Sequence, residues 1–182
     1  MSNQPMTEQE VYQEIYRRQS AGENYVGYGS TNHGTPHLKR IKAVLGDDDL
    51  LLDVGCGHNE LCIGLRADGH DAIGIDFACR SADFICGMAN LPFDNKVFAL
   101  VSAFDVLEHL AEDQIDPALS ELSRVGERFI FTIAFRPSVN TLDGRNLHST
   151  VKDPDWWLAK IKNHGTVEEF NPSAGLFVGT FN

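Results

Sequence analysis

The sequence has no Cys-x-x-Cys pair, no dense cluster of basic side chains and no long apolar run. A membrane-spanning helix needs about 18 consecutive apolar residues, and none are present. The four cysteines lack the spacing of a zinc or dithiol redox site, and no metal site is predicted. These absences argue against a protein with a membrane-spanning helix, a zinc or dithiol redox protein, and a protein with a basic nucleic-acid-binding surface.

The charge of the chain is strongly negative. Lysine and arginine total 15 against 26 aspartates and glutamates, which gives a net charge of -11. A phosphate backbone repels such a chain, so nucleic acid is not an expected partner. Residues 1–8 are polar and lack the basic start and apolar stretch of a signal peptide. We therefore expect a cytoplasmic protein, and nothing in the sequence fixes its oligomeric state.

Length and composition predict one globular domain over residues 1–182. The chain is 42% hydrophobic and 23% charged, which is typical of a packed domain, and one domain is expected per roughly 150 residues. Residues 1–46 are expected to form an N-terminal helical and lid segment within it. Its glycine-rich loop at 22–35 could fold over a ligand and exclude water, and this loop carries Tyr25, Tyr28 and His33.

Short apolar runs alternate with helical stretches, which predicts a doubly wound α/β fold. The sheet is expected to be mostly parallel, seven-stranded and Rossmann-like, with a C-terminal antiparallel hairpin. The predicted strands are 50–54, 71–76, 82–86, 97–103, 128–134, 166–170 and 176–181. The helices after the first are predicted at 36–45, 59–67, 116–126 and 153–165.

The glycine-rich segment after the first strand is the most informative motif. Gly55 and Gly57 stand where ligands of open parallel sheets bind. A dinucleotide motif needs glycine or alanine three residues after Gly57, but Glu60 stands there and would repel a pyrophosphate. Asp53 instead suits a cationic ligand such as an α-ammonium group. Asp76, 19 residues after Gly57, can accept hydrogen bonds from both hydroxyls of a ribose.

Four segments in order resemble the class I S-adenosylmethionine-dependent methyltransferases. They are LLDVGCG at 51–57, GID at 74–76, NLPFD at 90–94 and VLEHL at 106–110. The resemblance implies a methyltransferase with S-adenosylmethionine as cofactor and S-adenosylhomocysteine as product. It also fits the alternation of strands and helices and the final hairpin.

The resemblance assigns cofactor contacts residue by residue. The methionine part is expected at residues 53–57, the ribose at Asp76 and the adenine near Phe77. The full predicted set is Asp53, Gly55, Cys56, Gly57, Asp76, Phe77, Met88, Ala89 and Phe104. Met88 departs from the family pattern, because many relatives have an acidic side chain there that accepts a hydrogen bond from the adenine amino group.

The predicted acid–base groups are Asp105, His109 and His148. A base is needed only when the methyl acceptor carries a proton at neutral pH. Glu108 and Asp113 are expected to be solvated charges near a helix end. With only about 45 residues before the cofactor loop, no large insertion and an acidic charge, a small-molecule acceptor, or a sugar or lipid-linked intermediate, is favoured over DNA or RNA. Two alternatives stay open: a non-catalytic cofactor-binding or scaffold protein of the same fold, and an NAD-dependent oxidoreductase.

Overall fold

A computed structural model describes residues 6–23 and 35–182. The proposed lid residues Tyr25, Tyr28 and His33 lie outside this part of the chain. The helices are α1 (Glu8–Ser20), α2 (Leu38–Val44), α3 (Glu60–Ala67), α4 (Glu112–Val125) and α5 (Pro154–Lys162). The strands are β1 (Leu50–Val54), β2 (Asp71–Asp76), β3 (Phe84–Ile85), β4 (Phe98–Phe104), β5 (Gly126–Thr132), β6 (Thr141–Leu142), β7 (Arg145–Asn146), β8 (Gly165–Asn171) and β9 (Leu176–Phe181).

Seven of the described strands form one sheet in the order β3-β2-β1-β4-β5-β9-β8. Strands β3, β2, β1, β4 and β5 run parallel to one another, whereas β9 is antiparallel to both β5 and β8. This confirms the predicted fold class and its final hairpin. Because the chain proceeds outward from β1 in one direction and from β4 in the other, the order switches between these two strands, where ligands of such sheets bind.

Alternating side chains of the central strands pack against helices on both faces of the sheet. On one face, Leu52 and Phe131 join a core with α4 and α5 that includes Trp157. On the other face, Leu51 and Leu65 join a core with α2 and α3. Among the described residues, no helix is both long and apolar enough to cross a membrane.

Helix α4 begins earlier than predicted, at Glu112 rather than at residue 116. The backbone N–H of Ala111 donates to Gln114 Oε1 at 3.0 Å, which stabilises this earlier start. Pro117 therefore lies inside the helix, where it lacks the N–H that would bond to the carbonyl of Asp113. Its ring lines the cavity described below.

Two further elements differ from the prediction. Strand β3 has two residues rather than the five predicted at 82–86, so the parallel edge is short. Strands β6 and β7 form a small separate antiparallel sheet that was not predicted. Asp143 and Gly144 connect them with φ values of 50° and 82°, which is the left-handed backbone that an Asp-Gly hairpin turn requires.

Candidate functional site

A cavity of about 830 Å³ lies at the carboxyl ends of β1, β2 and β4. Helix α1 contributes part of its wall through Tyr12 and Tyr16. Every predicted site residue except Gly57 lines this cavity: Asp53, Gly55, Cys56, Asp76, Phe77, Met88, Ala89, Phe104, Asp105, His109 and His148. The fold thus brings together residues that are up to 95 positions apart in the sequence, from Asp53 to His148.

The bend after β1 needs glycine for two separate reasons. Gly55 and Gly57 have φ values of 68° and 54°, a conformation that carries little penalty only without a Cβ atom. A Cβ on Gly55 would also lie 2.5 Å from Cγ2 of Val106. The backbone of Cys56 is fixed to β2 by a 2.9 Å hydrogen bond from its N–H to the carbonyl of Ile75. Glycine at position 55 therefore lets Val106 pack directly against the backbone of the bend, and the hydrogen bond from Cys56 ties the bend to β2.

Asp53 is a buried carboxyl group at the end of β1, with 5% of its surface exposed. Ser102 donates a 2.7 Å hydrogen bond from Oγ to its Oδ1. Burial raises the pKa of Asp53 to about 7, and the nearby Asp76 adds to the shift, while the Ser102 bond opposes it. A cationic group in the cavity would compensate this buried charge, which fits the ammonium end of a methionine.

Asp76 uses its two carboxylate oxygens differently. Oδ1 accepts hydrogen bonds of 2.8 Å from the backbone N–H groups of Ala78 and Cys79, which fixes the turn after β2. Oδ2 accepts from the N–H of Gly57 and from Tyr16 Oη, both at 3.2 Å. The carboxylate thus has a structural role in the turn and also lines the cavity.

Aromatic and apolar side chains form the cavity wall next to β2. Phe77 contacts Tyr12 with the ring centroids 5.1 Å apart in an edge-to-face arrangement, and Gln9 Nε2 donates to the Phe77 carbonyl at 2.6 Å. Met88 and Ala89 continue this wall. The surface they form is suited to a flat, apolar ring system.

Phe104 lines the cavity at the end of β4. His37 stacks on its ring, with centroids 4.9 Å apart and planes at 6°. This stacking contact restricts the orientation of the Phe104 ring. The next residue, Asp105, has a φ of 54°, and its N–H donates to the carbonyl of Thr132 at 2.9 Å. Thr132 Oγ1 donates to Asp105 Oδ1 at 3.2 Å, which orients the carboxylate.

The two predicted histidines meet at the cavity wall. Their ring centroids are 4.8 Å apart and the rings are nearly perpendicular. His109 Nδ1 lies 2.7 Å from Tyr12 Oη and 2.9 Å from the carbonyl of Leu147. His148 Nδ1 lies 2.6 Å from the carbonyl of Arg136. Burial lowers the pKa of His148, so its ring is neutral at physiological pH.

Glu108 differs most from its predicted environment. It was expected to be solvated, but its side chain is fully buried under the short 3-10 turn of residues 107–109. The N–H of Ala134 donates to its Oε1 at 2.9 Å, whereas Oε2 has no hydrogen-bond partner within the described residues. Burial raises the pKa of Glu108 to about 8. Asp113, as expected, is exposed, and it lies at the cavity.

Sequence reasoning missed the contribution of α1 to this site. The N-terminal segment was expected to be helical, and the spacing of Tyr12 and Tyr16 agrees with a helix, but nothing in the sequence indicates which element that helix contacts. The cluster of Glu108, His109 and His148 was also missed, because residue 148 is distant in sequence. One potential ligand atom from each of these three side chains lies within 4.8 Å of the other two.

Comparisons with known proteins agree on one family. A family model described as "Methyltransferase domain" matches residues 34–164. The fold resembles the Burkholderia thailandensis 1,6-didemethyltoxoflavin-N1-methyltransferase, solved with 1,6-didemethyltoxoflavin and S-adenosylhomocysteine. The two are 15% identical with a TM-score of 0.67, covering 100% of this chain and 93% of the other.

Two further solved structures have a similar fold. A TehB-like S-adenosylmethionine-dependent methyltransferase of Corynebacterium glutamicum is 19% identical, with a TM-score of 0.60. The match covers 96% of this chain and 97% of the other. A provisionally assigned S-adenosylmethionine-dependent methyltransferase of Listeria monocytogenes is 14% identical, with a TM-score of 0.61. The match covers 82% of this chain and 99% of the other. No protein of curated function matches the chain.

Proposed function

Because the chain belongs to the S-adenosylmethionine-dependent methyltransferase family, we propose that it transfers the methyl group of that cofactor to a small-molecule acceptor within the cavity at the ends of β1, β2 and β4. The observation that carries this proposal is the pairing of two buried carboxyl groups, Asp53 and Asp76, on either side of a glycine bend in one cavity. When bound, S-adenosylmethionine supplies a methyl group that its positively charged sulfur already activates.

The residues present fit this cofactor along its length. Asp53 offers a carboxylate to the ammonium group, and Gly55 presents its backbone to the cavity beside it. Asp76 Oδ2 is the acceptor for ribose hydroxyls, with Tyr16 Oη beside it. The wall formed by Phe77, Met88 and Ala89 takes the adenine, whose edge is then left to backbone groups because a thioether accepts hydrogen bonds poorly.

The rest of the cavity takes the acceptor and directs it. Its volume of about 830 Å³ falls within the roughly 300–1,000 Å³ typical of small-ligand pockets. Orienting the nucleophile in line with the breaking bond is the main task of such an enzyme. Asp105, and in the metal-free protein the neutral ring of His148, would take a proton from an acceptor that carries one. Tyr12 and Leu147 hold the ring of His109 in a fixed orientation.

The charge of the chain supports a small acceptor, and its cysteines support a reducing compartment. The net charge of -11 opposes binding of a nucleic acid as substrate. The four cysteines are unpaired thiols, and burial raises the pKa of each. We therefore place the protein in the cytoplasm, where thiols stay reduced, and the raised pKa values make these thiols unreactive.

A methyl-transfer assay tests the proposal. The protein would be incubated with S-adenosylmethionine labelled in its methyl group and with a panel of small hydroxyl, amine and thiol compounds. We expect label in at least one compound with wild-type protein and none with Asp53→Asn. Tight binding of S-adenosylhomocysteine without transfer to any compound would instead support a non-catalytic binding protein, and binding of NAD alone would support an oxidoreductase.

A further inference from the structure

Two histidines of the cavity wall and one fully buried carboxyl group come together from two separate parts of the chain. Glu108, His109 and His148 each offer one potential ligand atom, and these atoms lie within 4.8 Å of one another. Zinc and similar divalent ions bind imidazole nitrogen and carboxylate oxygen at about 2.0–2.2 Å, so the ligand atoms of one ion lie roughly 3–4 Å apart. Small rotations of the three side chains would bring their atoms into this range.

The buried carboxyl group of Glu108 carries the argument furthest. Its Oε1 accepts a hydrogen bond from the N–H of Ala134 at 2.9 Å. Its Oε2 is buried and has no hydrogen-bond partner in residues 6–23 and 35–182. A buried oxygen of this kind is energetically unfavourable unless a donor or a cation compensates it. A cation held jointly with neighbouring ligands would provide that compensation.

The surroundings of the two histidines have the pattern of metal ligands. A ligating histidine usually donates its second ring N–H to a backbone carbonyl or a carboxylate, which fixes its orientation. His148 Nδ1 has this relation to the carbonyl of Arg136 at 2.6 Å, and His109 Nδ1 has it to the carbonyl of Leu147 at 2.9 Å. In both rings Nε2 is then the nitrogen that would bind a metal ion.

We propose that Glu108, His109 and His148 bind a divalent transition-metal ion at the wall of the cavity. Two imidazoles and one carboxylate suit zinc and its first-row neighbours, and they leave coordination positions for a further oxygen or nitrogen ligand. Both histidines line the cavity, so an acceptor hydroxyl can take an open position. This role in acceptor binding rests on the proposed methyltransferase function, whereas metal binding itself does not.

A hydroxyl bound in this way loses its proton to solvent more readily, because the ion stabilises the resulting negative charge. The oxygen then forms a bond to the methyl carbon while the bond from that carbon to sulfur breaks. The electron pair of the broken bond remains on sulfur, which becomes a neutral thioether. No oxidant or reductant is needed.

Direct titration of the full chain with metal tests the site. Protein treated with a chelator and then freed of it would be titrated with Co²⁺ and Zn²⁺, using calorimetry and the visible absorption of bound Co²⁺. We expect one equivalent to bind wild-type protein, and Glu108→Gln and His148→Ala to weaken binding by at least about tenfold. Glu127→Gln and His70→Ala are matched controls outside the cavity and should bind like wild type.

Absence of binding by wild type, or undiminished binding by both site variants, would overturn the proposal. Circular dichroism would show whether each variant is folded, and if Glu108→Gln fails to fold, the more exposed His148→Ala decides the question. Titration of the same samples with S-adenosylhomocysteine separates the two proposals. Metal binding without S-adenosylhomocysteine binding would contradict the methyltransferase proposal and leave the metal site intact.

Discussion

Asp53 is buried in the folded protein, whereas water would solvate its carboxyl group in an unfolded chain. Its pKa of about 7, against 3.8 in an ordinary aspartate, means that burial opposes its charge in the ligand-free protein. A carboxylate that is destabilised in this way gains more from a cationic ligand than a solvated one would. The cavity therefore holds a group whose charge depends on what binds beside it.

The affinity for S-adenosylhomocysteine should consequently depend on pH. Below pH 7 the carboxyl of Asp53 is protonated in the free protein, and binding of the ligand ammonium group must release that proton. Affinity should therefore fall with decreasing pH below about 7, by up to about tenfold per unit, and level off above it. Calorimetry across this range measures the effect. Asp53→Asn should bind weakly and lose this dependence, and a wild-type affinity independent of pH would refute the assignment.

Gly55 gives a second test at the scale of one residue. Gly55→Ala combines a left-handed backbone with a Cβ 2.5 Å from Val106, so we expect it to lower the free energy of unfolding by about 1–3 kcal/mol. It should also abolish binding of S-adenosylhomocysteine. Gly64→Ala in α3 is the control, because no atom lies within 4 Å of its added Cβ and alanine favours a helix. Equal melting temperatures for the two variants would contradict this account.

At the scale of elements, α1 docks through a small apolar cluster of its own. Val11, Tyr12 and Ile15 pack with Ala78 and with side chains from the β6–β7 region, apart from the two cores of the sheet. Hydrogen bonds from Tyr16 and Gln9 join the same helix to Asp76 and Phe77. The helix thus covers part of the cavity, and because its contacts lie outside the two sheet cores, we expect it to open before the sheet unfolds.

Ile15→Ala should detach α1 while the sheet stays folded. Ile15 is fully buried, and its truncation should destabilise this docking by about 2–5 kcal/mol. We expect faster hydrogen exchange in residues 8–20, unchanged protection of β4 and β5, and weaker binding of S-adenosylhomocysteine. The exposed Val44→Ala in α2 serves as a control for the loss of an apolar side chain. Global loss of protection in Ile15→Ala would show that α1 is not a separate unit.

Some elements were predictable from the sequence because local signals and tertiary packing agree. The apolar runs of β1 and β2 are bounded by glycine and aspartate, and both strands lie where they were predicted. Glu108 was unpredictable, because its burial depends on contacts with Ala134 and Thr150, which follow it by 26 and 42 residues. Pro117 suggested a helix start, but the hydrogen bond from Ala111 to Gln114 overrode it.

At the scale of the whole molecule, sheet topology decides where the site forms. The strand order switches between β1 and β4, and the carboxyl ends of these two strands lie at the same edge of the sheet as the carboxyl end of β2. Residues from distant parts of the sequence meet there because parallel strands end on the same side. The sequence motifs located this edge, whereas the wall contributed by α1 and the cluster around Glu108 depend on how the chain folds back over it.

Calorimetric titration with S-adenosylhomocysteine is the most direct test of the central claim that this cavity binds the methyltransferase cofactor. Wild-type protein should bind one equivalent near pH 8, and Asp53→Asn and Asp76→Asn should each weaken binding by at least about tenfold, which is a loss of roughly 1.4 kcal/mol in binding free energy. No binding by wild type, or binding that neither substitution changes, would contradict the account.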